Sequence, residues 1–354
     1  MMLEERYIRK VRRIIKNKDF QKKYTFNNTV NFQRNRELSF FDVMLYVIGN
    51  TRGPAYFEAE RFCNTKHRKT VTDTAIRSAR SKIDAEGFHE VFLRAAEMIP
   101  KEKNYHGYQL IAVDGIKGEL PKTPDFTAKY CNSRQPSPLF HAVSGYDMLN
   151  ETFVDGLFHF GGANEYEYGI KLVDGYIKKV PKVPRIWIFD RGFPSLRLLQ
   201  YLILRNESFV MRTSSSFLKE VNEFRNGTGM DDDVKIYYDN RRKQTSRVKS
   251  DGPTEFTLRC VRVKLSKEPD EILVTNLSRA EFSKESINEI YRLRWGIETA
   301  YNYLKNAVFV EEFTSREKNR ICQDFYATLI VDNFVTCVDK SAMENMPVKK
   351  TAIN

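Results

Sequence analysis

The sequence predicts an α/β fold, a sheet with helices on its faces, and three features of the chain predict it. YQLIAVD (Tyr108–Asp114) and RIWIFD (Arg185–Asp190) are short apolar runs, each delivering an acid at its C-terminal end with a glycine close behind, Gly115 or Gly192. Such runs suit strands buried within a sheet. Between residues 106 and 213 strand-like stretches alternate with helix-like ones, the order of an α/β sheet. From Ser214 to Ser283 the texture becomes β-rich, which predicts an insertion between the last of those strands and a following helix.

From the start of the chain, Met1 to Arg36 holds eleven Lys/Arg against three Asp/Glu, most of the formal charge of +12. It reads as a basic arm for DNA contact or as a solvated leader. Leu38–Asn50 is a helix opened by a Ser39 cap, and Asp73–Glu86 is a second, with small or apolar residues at Ala75, Ile76, Ala79 and Ile83. Phe88–Ile99 completes a small helical domain, in which Arg77, Arg80 and Lys82 would present a basic face to a duplex, as in a helix-turn-helix. After the Tyr108 strand, Leu139–Ser144 and Glu151–Phe160 are strands joined by a turn near Asp147, and Asn164–Lys179 is a helix. The Arg185 strand leads to a helix over Ser195–Leu204 and a fifth strand over Phe209–Thr213. Within the insertion VKIYYD, EFTLRCVRVKL and EILVTNL are strands. The loop Asn240–Pro253 carries Arg241, Arg242, Lys243, Arg247 and Lys249, as a DNA-facing surface or a solvated hairpin.

Chemistry concentrates in Tyr291, Arg294, Glu298 and Lys305, at offsets of three, seven and fourteen residues in a segment that reads as helix. Those steps keep the four side chains within roughly a 60° arc. A carboxylate flanked by two cations and a phenol suits a site that holds a divalent metal while gripping a phosphate backbone. Asp114 and Asp190, at the ends of two strands, meet where open α/β sheets collect ligands, provided the strands are neighbours. Three converging carboxylates repel one another unless divalent cations lie between them, and hard oxygen ligands select Mg²⁺ or Mn²⁺. Two ions roughly 3.5–4 Å apart serve an in-line displacement at phosphorus. Each residue has a plainer role too: Asp114-Gly115 as a turn, Asp190 as a helix cap, Glu298 and Lys305 as a solvated helix face. The joint pattern in a basic chain favours nucleic-acid chemistry.

Other classes are excluded. Five scattered cysteines without a C-x-x-C pair indicate neither a disulfide framework nor a zinc site, and so a reducing, cytoplasmic setting. His67, His89, His106, His141 and His159 lack metal-ligand spacing and read as structural or surface residues. No P-loop implies a nucleotide cofactor. The N-terminus lacks the apolar core of a signal peptide, and no apolar run reaches the roughly 18 residues of a membrane span.

In their order and context these residues resemble the cut-and-paste DDE transposases of bacterial insertion sequences, the group with a Tyr-Arg-Glu-Lys signature. Asp114, Asp190 and Glu298 stand in the family's order, with Glu298 inside Tyr291-x2-Arg294-x3-Glu298-x6-Lys305. VDGIKGELP and IFDRGFPS resemble the family's contexts for the first two acids. NESFVMRTS, with Arg212, is similar to the segment whose arginine meets DNA. TVTDTAIRSARSKIDAEGFHEVF resembles the N-terminal helical region, so the likeness runs from about Leu38 to Val335.

The resemblance implies an N-terminal basic arm and helical DNA-binding domain over 1–105 and a ribonuclease-H-like catalytic domain in two parts, 106–213 and 284–345. The β-rich insertion 214–283 lies between them, and 346–354 is a tail. It implies that Asp114, Asp190 and Glu298 hold two Mg²⁺ ions, for which Mn²⁺ can substitute, and that Tyr291, Arg294, Lys305 and Arg212 contact DNA. The implied partners are the double-stranded transposon ends and the target DNA, engaged by a homodimer in a synaptic complex on the bacterial nucleoid. The implied reaction is strand cleavage, hairpin formation, reopening and insertion. Some relatives stack a flipped base on a tryptophan of the insertion; here Trp187 reads as strand and Trp295 as core, which leaves Tyr237, Tyr238 or Phe256 for that role. The sequence also predicts no separate C-terminal dimerisation domain after ICQDFYATLIVDNFVTCV. The alternatives are a nuclease without strand transfer and a DNA-binding repressor with vestigial acids.

Overall fold

A computed structural model of the chain describes residues 1–33, 37–50, 53–66, 71–133, 135–162, 164–237, 255–265, 269–307 and 315–345, without the side chains of 303–307 and 345. His67, Tyr238, the basic loop Asn240–Pro253 and the Lys305 side chain therefore lie outside the described residues. Contacts divide the chain into two units, one of residues 1–100, 118–139 and 302–354, the other of 101–117 and 140–301.

The first unit is helical: α1 (Leu3–Lys16), α2 (Lys18–Lys23), α3 (Phe40–Ile48), α4 (Ala55–Thr65), α5 (Asp73–Arg80), α6 (Ala85–Ala96), α7 (Pro124–Tyr130) and the long α13 (Lys318–Asn345). The basic N-terminal segment is not an extended arm. Leu3, Tyr7, Val11, Ile14 and Ile15 form a buried stripe on α1, and the Tyr7 hydroxyl donates to the Ile330 carbonyl at 3.0 Å. The stripe has the three- and four-residue spacing of an amphipathic helix. The surrounding charge hid it at the sequence level.

The helix expected over Asp73–Glu86 divides in two. α5 stops at Arg80, and Asp84 opens α6 by accepting from the Glu86 amide at 3.1 Å. Ser39 opens α3 as expected, within a reciprocal capping box with Asp42. α4 and α7 are not anticipated from the sequence.

The sequence groups 284–345 with the catalytic segments, but α13 belongs to the helical unit, where it packs on α1, α3 and α6. Arg80 does not face a duplex. It is 4% exposed, donates to Asp324 Oδ1 at 2.6 Å, and reaches Gln323 Oε1 and the Arg320 carbonyl at 3.2 Å each. A buried arginine needs a carboxylate, and α13 supplies one. Arg80→Ala is expected to lose about 3–5 kcal/mol in urea unfolding by removing the guanidinium paired with the buried Asp324 carboxylate, and replacing both partners by leucine should recover most of it. Equal losses in single and double variants would show that the pair is not what α13 contributes there.

The second unit is built on a sheet of eight strands in the order β3-β2-β1-β4-β5-β8-β7-β6. These are β1 (Gln109–Glu119), β2 (Leu139–Asp147), β3 (Thr152–Phe160), β4 (Arg185–Phe189), β5 (Ser208–Arg212), β6 (Asp231–Tyr237), β7 (Glu255–Val263) and β8 (Glu271–Thr275). β1, β4 and β5 run parallel; β2 with β3 and the β5-β8-β7-β6 series pair antiparallel. The β-rich segment thus lengthens the same sheet, because β8 docks on β5.

The helices α8 (Glu165–Lys179), α9 (Leu196–Leu204) and α10 (Lys219–Asn226) carry Leu172, Leu198 and Val221 into a core with Ile111, Trp187 and Phe209. On β1 and β4 the intervening residues Leu110, Ala112, Ile186 and Ile188 are buried as well. Burial on both faces explains why these strands read as continuous apolar runs. α11 (Lys284–Leu293), packed on β5 and β7, leads into α12 (Trp295–Ala307). All five cysteines are free thiols, and no helix among the described residues is long and apolar enough to cross a membrane.

Candidate active site

Parallel pairing aligns Val113 of β1 with Phe189 of β4. The next residues, Asp114 and Asp190, therefore stand side by side, since neighbouring strands lie about 4.8 Å apart. Asp114 does not end its strand: β1 parts from β4 after Val113 and continues to Glu119.

The expected single signature helix is two. α11 ends at Leu293 and α12 begins at Trp295, with Arg294 at the joint. Arg294 keeps helical angles, φ −50° and ψ −31°, but the amides of Arg294 and Ile297 each turn back three residues, to the Tyr291 and Arg294 carbonyls at 3.0 Å. The turn is tightened rather than unwound, so Tyr291, Arg294 and Glu298 still reach one edge of the sheet.

Arg294 lies between two of the acids. Its side chain is 3% exposed, with Nη2 2.6 Å from Glu298 Oε1 and Nη1 3.6 Å from Asp114 Oδ2. Nε and Nη1 have no hydrogen-bond partner among the described residues. Asp190 Oδ1 accepts from Arg212 Nε at 2.6 Å, the Arg191 amide at 2.7 Å and the Tyr291 hydroxyl at 3.0 Å. The other side of Arg212 is paired with Glu271. The carboxylates expected to lack a neutralising partner thus have two guanidiniums among them. Among the described residues, no three His, Cys, Asp or Glu side chains are arranged to hold one metal ion.

The electrostatics differ between the two aspartates. Burial pushes the Asp114 carboxyl up to about 6; the Gly115 amide and Arg294 work against that, while Asp190 and Glu298 add to it. Burial acts on Asp190 in the same direction, but Arg212, the Arg191 amide and Arg294 outweigh it and hold that carboxyl below its ordinary value. Burial raises the Tyr291 phenol well above its usual range, which keeps it a donor. Four carboxylates (Asp114, Asp190, Glu271 and Glu298) face two guanidiniums, a surplus of negative charge on hard oxygen donors. Hard oxygen donors with surplus negative charge are of the kind that suits a divalent cation, although Asp114, Asp190 and Glu298 are not arranged around a single ion here.

Two residues absent from the sequence reading belong to this region. The Tyr301 hydroxyl donates to the Asp114 carbonyl at 2.8 Å and accepts from the Ser144 amide at 3.1 Å, fixing the backbone of the first acid. Its spacing of three from Glu298 was an available signal. Glu271 had none, because only the β5–β8 register brings it to Arg212. Trp295, expected in the core, is 64% exposed. Arg294 takes the inward place, and the next residue, about 100° further round, turns to solvent with its ring 5.7 Å from that guanidinium. Tyr237 is also exposed, at 53%, whereas Phe256 is buried.

Comparison with known proteins places the chain in a family. Transposase InsG of insertion sequence element IS4 from Escherichia coli (strain K12) is 22% identical over 286 residues, covering 76% of this chain. The chain spans only 61% of that relative's length. The piggyBac transposase, in a synaptic complex with hairpin DNA, shares the fold at a TM-score of 0.51 and 13% identity, over 97% of this chain and 77% of its own. Residues 105–334, which contain all three acids, match the family described as the transposase DDE domain. A match over that much of the sequence, on a sheet that sets Asp114 beside Asp190, makes the chain a member of the DDE transposase family.

Proposed function

We propose that the chain is a DNA transposase that cleaves the ends of its element and joins them to target DNA, in a cut-and-paste manner. The observation that carries this reading is the β1–β4 register, which sets Asp114 beside Asp190, with Arg294 linking Asp114 to Glu298. Two Mg²⁺ ions, or Mn²⁺ in their place, held by Asp114, Asp190 and Glu298 would supply Lewis-acid stabilisation of charge developing on the phosphate oxygens.

The chain's own residues do the rest. Arg294 has buried donors without acceptors among the described residues, and a phosphate oxygen would satisfy them. Arg212 and Tyr291 position Asp190 and pass donors to the DNA backbone when it enters, while Lys305 grips a phosphate further along the same segment. Water adds to phosphorus as the strand breaks, leaving a 3′-hydroxyl; that hydroxyl then attacks a second phosphodiester, and one P–O bond forms as another breaks. Residues 1–105 would bind the terminal repeats, 106–213 with 284–345 would catalyse, and 214–283 would extend the surface. A homodimer would pair two ends on the nucleoid in the cytoplasm, as suggested by the synaptic complex of the piggyBac relative. Its hairpin DNA suggests the same intermediate here, with Trp295 offering an exposed aromatic face beside Arg294.

Incubating the protein with Mg²⁺ and a duplex carrying the element's terminal repeat tests the reading. Joined products support it; cut products alone would leave a nuclease, and a shifted but intact duplex a repressor. In the same assay Trp295→Ala is expected to reduce hairpin product by about tenfold or more, since stacking contributes about 1–3 kcal/mol per base, and to spare the first nick. Undiminished hairpin would move the stacking role to Tyr237 or Tyr238.

A further inference from the structure

Three cations of the helical unit gather around one ring. The guanidinium of Arg12 lies 5.7 Å from the Phe41 ring centroid, Lys16 Nζ 5.3 Å and Lys66 Nζ 5.6 Å. Two of the cations come from α1 and one from the C-terminal end of α4, while the ring belongs to α3, so folding assembles the cluster. Among the described residues none of the three cations forms an ion pair, whereas Arg61, Arg77 and Arg94 in the same unit pair with Glu58, Asp73 and Glu90. The negative ends of helices account for Lys16 and Lys66 singly. They do not account for the convergence with Arg12. Like charges held together repel, and the electron-rich face of Phe41 offsets only part of that cost. The missing component is an anion.

The surroundings indicate its shape. Arg9 and Arg13 share the exposed side of α1 with Arg12 and Lys16, along a shallow groove. Positions 9, 12, 13 and 16 follow the three- and four-residue repeat of one helix face. Arg9 to Lys16 spans about 10 Å, the rise of roughly three successive phosphates of one DNA strand. A single small anion would fill only the Phe41 end of this row. A duplex backbone matches its length.

We infer that the exposed face of α1 and Lys66, gathered on Phe41, form a phosphate clamp for the backbone of duplex DNA. This rests on the proposal that DNA is the substrate, and it assigns the helical unit a sequence-independent contact distinct from the catalytic acids. The cluster replaces the face of Arg77, Arg80 and Lys82, of which Arg80 is buried.

The test is fluorescence anisotropy of the full-length chain with a random-sequence duplex, between about 50 and 300 mM salt. Arg12→Gln, Lys16→Gln and Lys66→Gln are each expected to lower the slope of log affinity against log salt by about one, equally for every duplex sequence. Lys178→Gln, on α8 and paired with Asp174, is the charge-matched control and should leave the slope near wild type. A wild-type slope in the triple variant, with a normal melting curve, overturns the clamp; if the triple variant does not fold, the three single variants decide. Competition by polyglutamate as effective as by duplex would also overturn it, pointing to an acidic protein partner. If the wild type bound no duplex even at low salt, the transposase reading itself would fail, a result distinct from an unchanged slope.

Discussion

Asp190→Asn is expected to lower strand cleavage by about 10³-fold or more, the scale on which a charge-stabilising group is felt in phosphoryl transfer. Asparagine keeps an oxygen that can accept from Arg212 and Tyr291, so the fold around β4 should survive. What it loses is the negative charge that Arg212 and the Arg191 amide keep on this carboxyl. Binding of terminal duplex should change little, because cations that contact the phosphates, rather than the acids, would hold DNA, and the variant should give a shifted, uncut band. Retention of cutting within a few fold of wild type would remove Asp190 from the reaction and leave the register of β1 and β4 without a catalytic meaning.

The second large effect is on stability and has the opposite sign. The Asp114 carboxyl is raised from 3.8 to about 6 by burial, so its ionisation in the metal-free protein works against the fold. Below about pH 4 the group is protonated in both folded and unfolded chains and costs nothing. As pH rises through about 6 the stability contributed by the protonated form is lost, and two units correspond to about 3 kcal/mol. Asp114→Asn avoids that loss. With chelator present, the variant should be more stable than wild type at pH 7 by about 2–3 kcal/mol, and equal to it near pH 4. Added Mg²⁺ should then raise the melting temperature of wild type and leave the variant unmoved, since only an ion bound to the folded state stabilises it. A variant less stable than wild type at pH 7 in chelator would mean that Asp114 is held as a satisfied anion and is not poised for a cation.

These two effects come from one structural fact, the unequal treatment of two adjacent aspartates. Asp190 has an arginine, a phenol and a backbone amide on one oxygen, whereas Asp114 has one backbone amide and a more distant guanidinium. Such asymmetry between neighbouring carboxylates is how an active site holds different charge states at one pH.

The sequence by itself determined the sheet strands and the order of the acids. YQLIAVD and RIWIFD are continuous apolar runs because both faces of β1 and β4 are covered, and that pressure acts on every residue and is visible in composition. The three- and four-residue spacing of Tyr291, Arg294 and Glu298 was legible for the same reason, since a helical face leaves a period. Tertiary structure alone decided what those side chains meet. That Arg80 points into α13 and not toward a duplex depends on Asp324, more than two hundred residues away. That Arg212 is shared with Glu271 depends on the β5–β8 pairing, and that Trp295 is exposed depends on Arg294 filling the inward place at the helix joint. Local spacing fixes which residues share a face; the partner across the gap is set by packing between distant segments, which leaves no period in the chain.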